Sequence, residues 1–177
     1  DIRYLTGYLT RFWESPTRPW FLVLPTDGLP IAVIPSIGAE LMSRSVVEDI
    51  RTWSAPDYSD DGITLLRDCL REVAGAGRIG TPHGIESHLR MPLGDWIKLR
   101  DEIEIGSDMQ VMRAARMVKT PREVEAIREA CQIAGRAFAR VPEKARAGSP
   151  LSDVFRGFQI LCLEEGADWV PYLAGAA

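Results

Sequence analysis

The chain has 177 residues, 46% of them hydrophobic and 26% charged, a composition that excludes intrinsic disorder and fits one ordinary domain, or a small domain plus part of another. A net charge of -4 and a pI near 5.3 supply no basic excess to hold phosphate, which argues against nucleic acid or an anionic membrane as partner. The longest apolar run, "WFLVL", is about five residues, against the roughly 20 needed to span a bilayer.

In chain order, "DIRYLTGY" reads as the end of a strand already under way, and with Asp rather than Met in first place it implies residues before Asp1. "LTRFWESPTRP" follows as a loop rich in aromatic, Arg and Pro residues. "WFLVLPTDGLPIAVIP" is a strand–turn–strand pattern, two β-prone runs around the Asp27-Gly28 turn signal. "SIGAELMSRSV" predicts a short helix and "DIRTWSAP" a strand. Asp61 is the candidate cap of a helix whose Ile63, Leu66, Cys69, Leu70 and Val73 recur every three or four residues as one buried stripe, ending at Gly75-Ala76-Gly77. "RIGTP" is a short strand. A helix through Leu93, Trp96, Ile97 and Leu99 follows, and then the strand "EIEIG". Strands that lead and then alternate with helices predict an α/β fold with a mixed sheet and flanking helices.

From Pro121 the chain turns helical. Thr120 can cap the helix, Pro121 suits its first turn, and Glu123 can reach back to the cap. Val124, Ile127, Cys131, Ala134 and Phe138 form its apolar stripe, with Arg122, Glu125 and Arg128 facing out. "AGSPLSDVFRGFQILCLEEG" repeats the grammar, with Ser149 as cap, Pro150 in the first turn and Gly166 as stop. Two helices and "ADWVPYLAGAA" cannot make a core alone, so this end needs more chain or a partner.

Local chemistry is sparse. Cys69, Cys131 and Cys162 are odd in number and widely spaced, the pattern of buried free thiols in a reducing compartment. His83, Glu86 and His88 can be sketched as a metal site, but their spacing matches no zinc signature and a plain loop is the better reading. The pairs Asp60-Asp61 and Glu164-Glu165 read as a helix start and a solvated helix face. Ser15, Ser43 and Ser54 have no neighbouring His to activate them, and Gly75 and Gly77 follow a helix, as terminators do and phosphate cradles do not. The loop "RFWESPTRPW" is the exception, because Arg11, Phe12, Trp13, Arg18 and Trp20 are the residue types that anchor interfaces and ligand pockets. Trp20, next to a strand, is better read as core, whereas Trp13 fits core or function equally.

The order of "IRYLTGY", the "FLVLPTDGLPIAVI" hairpin, "RIG" and "RMVKTPREVEAIREACQIAGRAF" resembles the creatinase/prolidase family, which includes aminopeptidase P. The resemblance covers essentially the whole chain; its individual motifs are soft, and their order and spacing carry it. It implies a ribonuclease H-like N-terminal domain over 1–116, followed over 117–177 by a linker and the first two helices of a pita-bread catalytic domain. Arg116, Lys119, Glu123, Ile127, Arg128 and Ala130 match the family's joint between the two. In its peptidases two Asp, one His and two Glu bind a pair of divalent ions (Mn, Co or Zn) that generate hydroxide and polarise the scissile carbonyl. None of these ligands has a matching position here, so the resemblance implies a metal site beyond Ala177 and an inactive fragment.

In creatinase-like members the loop after the "YLTGY"-type strand offers an aromatic and an Arg to the neighbouring subunit's substrate. Trp13 falls at the aromatic position, while Ser15 stands at the Arg position, a departure from creatine specificity that Arg11 or Arg18 would have to make good. The implied whole is a cytoplasmic homodimer, or dimer of dimers, acting on Xaa-Pro peptides or another small amide. A creatinase-like, metal-free C–N hydrolase with a His base, a related lyase, and an inactive pseudo-peptidase serving as a binding module are the alternatives.

Overall fold

The computed structural model describes residues 1–10, 17–85, 87–171, 173 and 174. The chain divides into two compact units, Asp1–Ala115 and Arg116–Ala177.

The first unit is built around a strand buried on both faces. β1 (Phe21–Val23) and β2 (Ile31–Pro35) form the expected antiparallel hairpin, with Phe21 opposite Val33 and Val23 opposite Ile31. A 3-10 turn (Ser36–Gly38) and α2 (Ala39–Met42) return the chain to β3 (Asp49–Trp53), which lies parallel to β2. The sheet is therefore mixed, in the order β1-β2-β3. All five residues of β2 are buried, as a continuous apolar run requires. Alternation sends Ile31 and Val33 to one face, where they meet Ile63, Leu66 and Cys69 of α3 (Ile63–Ala74) and Leu99 of α4 (Leu93–Glu102). Ala32 and Ile34 point the other way, to Tyr8, Met42 and Val47. Each buried Ile, Leu or Val on these faces contributes about 1.5–3 kcal/mol. β4 (Ile79–Thr81) and β5 (Ile105–Ser107) form a separate parallel pair, and Ile79 and Ile105 pack on the α3/α4 side.

The opening segment is not a strand. Residues Ile2–Thr6 form a short helix, α1, ended by Gly7, whose N–H donates to the Arg3 carbonyl. Ile, Tyr and Thr favour strands, but packing of Ile2 and Tyr8 into the second cluster overrides that preference. Thr6 is accommodated because its hydroxyl donates back to the Ile2 carbonyl at 2.7 Å and accepts from the Tyr8 N–H at 3.1 Å.

α5 (Val111–Met117) ends the alternating pattern. In the second unit α6 (Pro121–Ala139) starts with the full capping box: the Glu123 N–H donates to Thr120 Oγ1 at 3.3 Å and the Thr120 N–H donates to Glu123 Oε2 at 2.7 Å. A 3-10 turn (Val141–Glu143) leads to α7 (Leu151–Glu164). Two expectations need correction here. Ser149 does not cap α7; its hydroxyl accepts from the Arg146 N–H at 2.9 Å and so closes the preceding turn. The α6 stripe is not buried either, since Val124, Ile127, Cys131 and Phe138 are exposed and the small cluster forms instead around Ala137, Leu161 and Cys162.

Candidate functional site

Described residues on either side of positions 11–16 are packed. Before them, Tyr8 is 5% exposed and Thr10 is buried; after them, Pro19 is buried and Trp20 is half-buried. The Tyr8 and Trp20 rings lie 5.5 Å apart between centroids, tilted by 34°. Trp20 also lies against Gly38: a Cβ built there would come within 2.0 Å of Trp20 Cη2. Only a residue without a side chain allows that approach. Trp20 is thus part of the second cluster, as its position beside a strand suggested. Arg18 is exposed in the turn before it. Arg11, Trp13 and Ser15 lie outside the described residues, and so does Glu86 of the sketched histidine site. His83 and His88 are both exposed, and their stretch carries a turn in which the Ser87 N–H donates to the Gly84 carbonyl.

The paired acids act differently from the sequence reading. Asp60, not Asp61, caps α3, accepting from the N–H groups of Ile63 and Thr64 at 3.1 Å each. Asp61 accepts from Trp53 Nε1 at 3.0 Å, and the Trp53 ring covers Gly62, which opens the helix at φ 88° where a side chain would be both strained and blocked. Partial burial works against the Asp60 carboxylate, but bonds from the Thr64 side chain and backbone, with Lys98 nearby, leave its pKa below the ordinary value. Asp95, on α4, goes the other way, raised by burial and by the charge of Asp61. Sequence spacing gave no sign that Asp95 and Lys98 would come to this helix start.

Glu164 and Glu165 are not a simple solvated face. Arg140 donates to Glu165 Oε1 at 2.7 Å, to Glu164 Oε2 at 2.8 Å and to Glu143 Oε2 at 3.0 Å. Arg136 donates to the Glu165 carboxylate and to its carbonyl, both at 2.9 Å. These bonds from Arg140 and Arg136 hold the Glu165 pKa below its ordinary range. Cys69 and Cys162 are buried free thiols whose pKa values burial pushes up, whereas Cys131 is free and exposed. Gly75 ends α3, its N–H donating to the Arg71 carbonyl. Among the described residues no group of three His, Cys, Asp or Glu is placed to hold a metal, and no helix is long and apolar enough to cross a membrane.

A doubly covered hairpin strand, a parallel return and a capped helical second unit make up the fold of the N-terminal part of prolidase-type dipeptidases. No family model matches the chain. Over 177 residues it is 28% identical to the probable dipeptidase PepE of Mycobacterium tuberculosis, covering 98% of this chain and 44% of that protein. The chain therefore spans less than half the length of the curated relatives it matches. Its structure is similar to that of dipeptidase PepE from Mycobacterium ulcerans, with a TM-score of 0.68, 26% identity, and coverage of 97% of this chain and 44% of that one. A recombinant prolidase from Thermococcus sibiricus superposes with a TM-score of 0.75 at 22% identity, over 97% of this chain and 45% of that one. The Xaa-Pro dipeptidase from Bacillus anthracis gives 0.71 at 16% identity, over 95% and 43%. At those last two identities the likeness is one of fold.

Proposed function

We propose that this chain is the N-terminal portion of an Xaa-Pro dipeptidase or aminopeptidase. Residues 1–116 form its N-terminal domain, and 117–177 form the linker and the first two helices of a pita-bread catalytic domain. The observation that carries the reading is a match running through both units, over 98% of the chain, to a probable dipeptidase more than twice as long. In this reading the chain contributes surface for homodimer assembly and for substrate access. Trp13, with Arg11 or Arg18, faces the substrate of the neighbouring subunit, and the exposure of Arg18 supports a role of that kind. The protein works in the cytoplasm.

A pair of Mn, Co or Zn ions belongs to the intact enzyme. The residues described here do not fit such a pair, since they hold no cluster of three metal-binding side chains. No chemical step is therefore assigned to this chain's own side chains.

The test is a hydrolysis assay of the whole protein against Xaa-Pro dipeptides and creatine, with and without added divalent metal. Metal-dependent cleavage of the Xaa-Pro bond is the expected result. Metal-independent cleavage of creatine, or no turnover of either with the fold intact, would replace this reading with the C–N hydrolase or the binding module.

A further inference from the structure

We draw no further inference here: the strongest candidate, the open apolar groove of the second unit between Phe138, Val141, Phe155 and Phe158, carries none, because nothing in the structure shows what covers it.

Discussion

Asp60 and Asp61 are neighbours with separate tasks. Asp60 satisfies two N–H groups that α3 cannot bond internally, and Asp61 satisfies the indole N–H of Trp53. Asp60→Ala should therefore cost about 1 kcal/mol, the usual value of a helix cap, read as a lower urea midpoint with unchanged slope. An unchanged midpoint would show that the cap is idle. From the sequence, an acid just before the first apolar-periodic residue was a sound signal for a cap. Choosing between two adjacent acids was not possible, because the choice depends on Gly62 taking a positive φ and on Trp53 coming to lie over it. The Trp20–Gly38 contact was hidden for the same reason: spacing along the chain does not say which ring a glycine makes room for.

At the scale of elements, the parts of the fold written in local chemistry were legible. The Asp-Gly hairpin, the α3 stripe and the Thr120–Glu123 capping box each depend on residues close in sequence, and all three are present. α1 was not legible, because a helix of five residues is too short to be favoured by propensity and exists through its packing. The α6 stripe was legible as periodicity, but periodicity does not report what the face meets.

The end of α7 is tied to Arg136 and Arg140 through their bonds to Glu165. A carboxylate with a depressed folded pKa adds stability that is complete above its unfolded value, here the ordinary 4.5, and is lost as pH falls through the lower folded value. Arg140→Gln should therefore lower the melting temperature at about pH 7, and the gap to the wild type should narrow as pH falls below the ordinary 4.5. A gap of constant size across that range would mean that Arg140 acts through packing and not through charge.

For the whole molecule, the candidate site could be read only through motif order. No spacing rule picks Trp13 out, and among the described residues no three metal-binding side chains come together. If Trp13 faces a partner's substrate, Trp13→Ala in the whole protein should lower kcat/KM by roughly thirtyfold or more and leave the melting temperature nearly unchanged, since losing an interface anchor commonly costs about 2 kcal/mol. If it is core, the same change should cost about 3–5 kcal/mol of stability, with normal kinetics in the folded fraction. A thermal melt beside a kinetic assay separates the two outcomes.

This chain has the fold of a prolidase-type N-terminal portion, and the metal chemistry is proposed to lie outside it. The most direct test is elemental analysis of the purified, tag-free 177-residue chain after dialysis against Mn, Co and Zn, run beside the whole protein. No stoichiometric metal in the chain and a bound pair in the whole protein are expected. Stoichiometric metal held by the 177 residues alone, or none held by the whole protein, would contradict that proposal.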